Sequence, residues 1–201
     1  MVMSGQYAFD FKGSEPPRRK RGERLFLCIF PELAAASELH AFGSRFIRAN
    51  ALTSKRLERS RLHLSLSHIG DYPRLKSSRI YAAGLAASEV SASAFEVRLH
   101  AIRSFDGRPP AAGKPPSRPL VLLGDGEGLP KLHGTLTEAL REKGMRVAKQ
   151  FTPHLTLSYG EAAVPLQPIE PMQFIAKEFA LVHSMLGQGR YNILGRWPLT
   201  G

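Results

Sequence analysis

The stretch RLHLSLSHIG, residues 61–70, has a close copy in FTPHLTLSYG, residues 151–160. Both stretches alternate apolar and polar residues, a pattern that predicts β-strands whose leucines face a core. On the opposite face, the first strand presents a histidine and a serine, and the second presents a histidine and a threonine. Two such strands side by side place two imidazoles and two hydroxyls in one cleft. This set of groups is sufficient for acid–base chemistry on a phosphodiester without a metal.

The surroundings of the two copies also match. Each copy follows an apolar strand-like run and then a helix-like stretch: residues 25–30 and 32–47 before the first copy, and residues 120–123 and 129–143 before the second. A shared order of strand, helix and motif strand is typical of an internal duplication. We therefore predict two copies of a β-α-β unit within one domain.

The remaining segments are assigned from their alternation and from their glycine and proline content. We predict strands at residues 79–85 and 95–101, a hinge rich in proline and glycine at 106–119, a connector at 167–171, and a closing hairpin formed by 178–184 and 191–194. Residues 1–22 contain a basic cluster and show no apolar periodicity, so they are predicted to form a flexible basic tail.

The composition favours one globular domain over residues 23–201. The chain has 201 residues, of which 43% are hydrophobic, and this is enough for a substantial core. No apolar run approaches the roughly 18 residues needed to cross a membrane, and the N-terminus does not resemble a signal peptide. The single cysteine, Cys28, lies in an apolar run, so we expect a core residue in a reducing cytoplasm. The net charge of +11 suits a polyanionic ligand.

These motifs resemble those of the two-histidine phosphoesterase superfamily, specifically the bacterial and archaeal 2′-5′ RNA ligases, also described as RNA 2′,3′-cyclic phosphodiesterases. The resemblance rests on RLFLCIFP, LHLSLSHIG, FTPHLTL and the closing Ser184 to Tyr191, and it spans about residues 24–199. It implies an α+β fold that is bilobal, with two pseudo-symmetric antiparallel sheets, helices outside and a central cleft carrying both motifs.

The resemblance also implies roles for four residues. His63 and His154 would be catalytic, and Ser65 and Thr156 would hold the phosphate. Serine replaces the commoner threonine in the first motif and keeps the hydroxyl. Where the family often has an arginine beyond the second motif, this chain has Tyr159.

The expected reaction opens a 2′,3′-cyclic phosphate on an RNA end or a small cyclic nucleotide and leaves a 2′-phosphate; in the same cleft, the ligation joins a 2′-phosphorylated end to a 5′-hydroxyl. Either histidine can serve as base or acid, because an imidazole titrates near neutral pH; His154 is weakly favoured as the base in hydrolysis. Tyr159, Phe26 and Arg74 are candidates for binding the nucleoside, since single-stranded ends are bound by stacking. We expect no cofactor or metal, no membrane association, and a monomer.

Three alternatives remain open at this point. The same fold could bind a nucleotide or RNA end without turnover, although a pure binding module needs neither imidazole as a proton carrier. The cleft could act on another phosphoester, such as a 2′-5′-linked oligonucleotide or an ADP-ribose cyclic phosphate. The third alternative, a metal site, lacks an obvious third ligand unless Asp71 supplies it. Among the other histidines, we expect His68 to face the core, and His40 and His133 to be exposed on helices.

Overall fold

The chain forms three α-helices and nine β-strands within the residues that the computed structural model describes, namely 22–107, 113 and 115–200. Most of the predicted basic tail, residues 1–21, and part of the predicted hinge, residues 108–112 and 114, lie outside these ranges. In chain order the elements are β1 (Glu23–Ile29), α1 (Leu33–Ala49), β2 (Ser54–Arg56), a 3₁₀ turn (Arg59–Arg61), β3 (Leu64–Tyr72), α2 (Ser77–Ser88), β4 (Phe95–Ser104), β5 (Arg118–Asp125), α3 (Gly128–Glu142), β6 (His154–Gly160), β7 (Gln167–Ala176), β8 (Glu178–Met185) and β9 (Arg190–Pro198).

The sheet consists of two halves with the same arrangement. Its strand order is β7-β4-β5-β6-β3-β1-β8-β9, with β2 added beside β6, and neighbouring strands are antiparallel. In each half the motif strand pairs with the strand that precedes the helix, β3 with β1 and β6 with β5. The two motif strands meet at one residue pair, Leu64 and Leu155. The α+β architecture implied by the family resemblance is confirmed, but the two expected sheets form one continuous sheet, joined at the motif strands.

The helices pack against the sheet and connect the two halves. Helix α1, from the first half, contacts β6 of the second, and α3, from the second half, contacts β3 of the first. Gly43 on α1 permits a close approach, because a Cβ at this position would lie 3.4 Å from the side chain of Leu157. The leucines of both motifs are buried in this shared core, as their alternation predicts. Each half therefore packs its helix against the motif strand of the other half. This packing connects two halves that share few backbone hydrogen bonds where β3 meets β6.

Two predictions of secondary structure are wrong. Residues 79–85, predicted as a strand, lie in α2, where Ala83, Ala86 and Ala87 are buried at helical spacing and alanine favours the helix intrinsically. Residues 167–171, predicted as a connector, begin β7, which is an edge strand of the sheet. Proline is tolerated in an edge strand because the missing N–H can face away from the neighbouring strand.

The predicted strands and helices before the two motifs, the strand over 95–101 and the closing hairpin β8–β9 are confirmed. None of the described helices is long and apolar enough to span a membrane.

Candidate active site

A cavity of about 460 Å³ is lined by residues from both halves of the sheet. Its lining includes both histidines and both hydroxyl residues of the repeated motifs, together with two of the three predicted nucleoside-binding residues, Tyr159 and Phe26. The full lining is Arg24, Phe26, Arg61, His63, Ser65, His68, His154, Thr156, Tyr159, Ser184, Leu186 and Tyr191. We refer to this cavity as the cleft.

Arg74, the third predicted nucleoside-binding residue, is not part of the cleft lining. It lies after the end of β3, in the bend that leads to α2, and its side chain is exposed. The chain leaves the sheet at this bend to begin a helix, so Arg74 lies outside the cleft lining and its role in binding stays a prediction.

Both motif histidines are held in the same tautomer by the main chain. The Nδ1 atom of His63 lies 2.8 Å from the carbonyl oxygen of Arg61, and that of His154 lies 2.7 Å from the carbonyl oxygen of Thr152. A carbonyl oxygen can only accept, so Nδ1 carries the hydrogen and donates it in both cases. The nitrogen left for proton exchange is therefore Nε2 in both imidazoles.

The two imidazoles differ in their surroundings. The ring of His63 lies among Phe26, Phe30 and Tyr191, with ring centroids 5.1, 6.1 and 5.5 Å away. Burial lowers the pKa of His63 to about 4, against the raising effect of its hydrogen bond to the Arg61 carbonyl, and nearby positive charges lower it further. His63 is therefore neutral at neutral pH. The ring of His154 has Phe105 at 5.0 Å in an edge-on contact.

A β-bulge in each motif strand changes which residues face the cleft. In β3, Ser65 pairs with Cys28 and Ser67 with the adjacent Leu27, so Leu66 has no partner. β6 has the same irregularity against β5: its Leu157 has no partner. An extra residue of this kind shifts the side chains that follow it to the opposite face of the sheet.

The residues after the two bulges occupy equivalent places. Ser67 and Ser158 are buried, and their hydroxyl oxygens have no hydrogen-bond partner among the described residues. The next residues, His68 and Tyr159, lie in the cleft lining. Core burial was predicted for His68 from the parity of the leucines, and this prediction is wrong because of the bulge.

His68 belongs to a hydrogen-bonded group on the cleft wall. Its Nε2 atom lies 3.0 Å from Oδ1 of Asp71, and Asp71 also accepts two hydrogen bonds, at 2.6 and 2.8 Å, from the guanidinium of Arg24. The carboxylate therefore holds both side chains in place. The alternation of β1, in which Arg24 and Phe26 point to the same side, was the sequence signal that could have identified Arg24.

The exposure predicted for two other histidines is wrong. His133 on α3 is buried, its ring stacks on Phe151 with centroids 4.5 Å apart, and its Nδ1 lies 2.8 Å from the carbonyl oxygen of Leu66 in β3. His133 therefore links α3 to the first motif strand. His40 on α1 is half-buried.

The donor groups of the cleft are imidazoles, hydroxyls, guanidiniums and phenols. Across the described residues, no group of three or more His, Cys, Asp or Glu side chains is arranged to hold a metal ion. Repeated strands that bring two histidines and two hydroxyl residues into one cleft are the arrangement expected of a two-histidine phosphoesterase.

The family model of the 2′-5′ RNA ligase superfamily matches residues 31–183. This match covers well over half of the chain, and the chain belongs to that superfamily, the two-histidine phosphoesterases. No curated protein sequence matches it.

Several solved structures share the fold. A crystal structure described as a phosphoesterase has 23% identity and a TM-score of 0.69, covering 89% of this chain and 99% of its own. The apo form of LigT from E. coli has 22% identity and a TM-score of 0.67, with coverages of 90% and 99%. TT0787 of Thermus thermophilus has 23% identity and a TM-score of 0.66, with coverages of 89% and 98%. LigT has also been crystallised with ATP, 3′-AMP, NADP⁺ and phosphate.

Proposed function

We propose that this protein is a 2′,3′-cyclic phosphodiesterase that opens the cyclic phosphate of RNA ends or small nucleotides and leaves a 2′-phosphate. The observation that carries the proposal is the placement of His63 and His154 in one cleft, each with Nδ1 held by a carbonyl and Nε2 left for proton exchange. Two imidazoles, one as base and one as acid, suffice to hydrolyse a phosphodiester.

In this reaction His63 acts as the base. Its imidazole is neutral at neutral pH, so Nε2 can take a proton from the attacking water as the water oxygen bonds to phosphorus. The bond between phosphorus and O3′ breaks, and His154 in its protonated form gives a proton to O3′. This order is opposite to the weak preference for His154 as base that was based on the sequence, and it follows from the burial of His63.

The two motif hydroxyls stabilise the phosphate. Ser65 and Thr156 each lie two residues beyond a motif histidine on the cleft face of their strands. Their hydroxyls donate hydrogen bonds to the nonbridging oxygens, whose negative charge increases in the transition state.

Tyr159 is the better of the two aromatic candidates for stacking on the base. Its side chain lines the cleft and is 44% exposed, so one ring face is accessible to a ligand. Phe26 is nearly fully buried, and its ring already contacts those of His63 and Tyr191. Its contribution is to exclude water from His63. The complexes of LigT with nucleotides support a nucleotide as the ligand of this cleft.

The test is hydrolysis of the four nucleoside 2′,3′-cyclic phosphates in EDTA, with the products resolved as 2′- or 3′-phosphates by phosphorus NMR. We expect turnover to 2′-phosphates by the wild type, a loss of at least about 100-fold in kcat in His63→Ala and in His154→Ala, and near wild-type rates in the control His40→Ala. Absence of turnover, or 3′-phosphate products, would contradict the proposal. A parallel assay uses 2′-5′-linked dinucleotides as substrates. Turnover of these alone would assign the cleft to another phosphoester.

A further inference from the structure

Arg61 lies next to the proposed base. It ends the 3₁₀ turn before β3, its carbonyl oxygen holds Nδ1 of His63, and its side chain lines the cleft. Its positive charge is close enough to His63 to act on the imidazole electrostatically. The same residue thus fixes the ring through its main chain and brings a guanidinium into the cleft.

The two arginines of the cleft differ in their partners. The guanidinium of Arg24 donates two hydrogen bonds to the carboxylate of Asp71. Arg61 has no carboxylate partner among the described residues, and its guanidinium lies over the ring of Tyr191, with Cζ 4.7 Å from the ring centroid. This contact restricts the position of the guanidinium.

One hydrogen-bond donor of the Arg61 side chain is unpaired among the described residues. Its Nε atom is buried and has no hydrogen-bond partner in the described part of the chain. A buried donor without a partner costs free energy, and more so when the group is charged. An anionic ligand in the cleft would offset this cost by pairing with the guanidinium charge.

We propose that Arg61 binds a nonbridging oxygen of the ligand's phosphate on the His63 side of the cleft. A planar guanidinium with a fixed orientation suits phosphate oxygens better than the point charge of an ammonium does. That this phosphate is the reacting one rests on the proposed function. The binding of a phosphate by Arg61 stands without it.

The turn that carries Arg61 offers a matched control. Arg59 lies two residues earlier, is exposed, and donates a hydrogen bond to Ser37 of α1 instead of lining the cleft. Changing either arginine to glutamine alters the net charge by the same amount. A difference between the two variants therefore reports position in the cleft and not overall charge.

The experiment is titration calorimetry of inorganic phosphate and of a nucleoside 2′-monophosphate against wild type, Arg61→Gln, Arg61→Lys and Arg59→Gln. We expect Arg61→Gln to weaken binding of both ligands by about 10- to 100-fold, the loss of a hydrogen bond to a charged group. Arg59→Gln should stay within about twofold of wild type. Arg61→Lys, which keeps the charge without the planar fork, should fall between wild type and Arg61→Gln, and it serves as the test if the glutamine variant does not fold.

Equal affinities in the Arg61 and Arg59 variants would overturn the inference, as would an absence of phosphate binding by the wild type at millimolar concentration. If the wild type binds phosphate through Arg61 and yet opens no cyclic phosphate, the proposed reaction fails while the binding role stands. If both hold, Arg61→Gln should also move the acid limb of the pH profile of kcat/KM upward, because a positive charge beside His63 is removed. If Arg61 only packed against Tyr191, the Arg61→Gln variant would bind phosphate as tightly as the wild type.

Discussion

Removing one aromatic neighbour of His63 should raise the pKa of this imidazole and move the pH dependence of the reaction with it. Burial is the largest cause of the low pKa, about 4, and three rings surround the imidazole. Phe26 is the closest of them, and Phe26→Ala admits water to one side of His63. We expect a rise of about one pKa unit, since one of three shielding rings is removed.

The size of the effect on activity follows from this shift. The pH profile of kcat/KM reports the free enzyme, so its acid limb should lie near pH 4 in the wild type and near pH 5 in the variant. At about pH 4.5 the neutral fraction of His63 falls from about three quarters to about one quarter, so kcat/KM relative to its plateau should drop about threefold.

The assay is a profile of kcat/KM between about pH 3.5 and 8, with a proton NMR titration of His63 in the same samples. Phe105→Ala is the matched control, because it removes a ring 5.0 Å from His154 and leaves the surroundings of His63 intact. Its acid limb should stay near pH 4. A wild-type His63 that titrates near its ordinary value of 6.5, or a limb that Phe26→Ala does not move, would refute the assignment of the low pKa to burial.

Two further predictions concern recognition and stability. Tyr159→Ala should raise KM for cyclic nucleotides by about 10-fold with little change in kcat, since base stacking contributes about 1–3 kcal/mol, whereas Tyr81→Ala on the exposed surface of α2 should leave both constants unchanged. Steady-state kinetics decides this, and an equal effect of both changes would contradict it. His133→Ala should lower the free energy of unfolding by about 2–4 kcal/mol, because it removes a buried ring and leaves the carbonyl of Leu66 without its donor. Urea denaturation measures this loss, with His40→Ala as control; a loss below about 1 kcal/mol would argue against the link that His133 makes between α3 and β3.

Strict alternation is a local property of the chain, and it was enough to predict the centre of the site. Ser65, His154 and Thr156 lie among the first residues of their strands and His63 immediately before β3, all ahead of any irregularity, so a period of two places all four on one face. The helices before the motifs were predictable for the same reason. Each carries apolar residues at helical spacing over several turns.

The bulges could not be predicted from local pattern. Whether Leu66 pairs or is skipped depends on the register of β3 against β1, which lies far away in sequence. Beyond that point the parity reverses, and His68 was assigned to the wrong face. Arg61 was missed for a related reason: it belongs to a turn, where no period applies, and its side chain lies in the cleft against Tyr191 of β9, a strand far away in sequence.

The carbonyl partners of the two histidines have a consequence for the catalytic cycle. The carbonyls of Arg61 and Thr152 each accept a hydrogen bond from Nδ1 and fix the tautomer of the imidazole. In the proposed reaction each ring then exchanges protons through a single atom, Nε2. One turnover leaves His63 with a proton and His154 without, which is the starting state for the reverse reaction, closure of the cyclic phosphate. The free enzyme therefore has two protonation forms that must interconvert through solvent between turnovers. The ratio of these forms decides whether the cleft is ready to open or to close a cyclic phosphate.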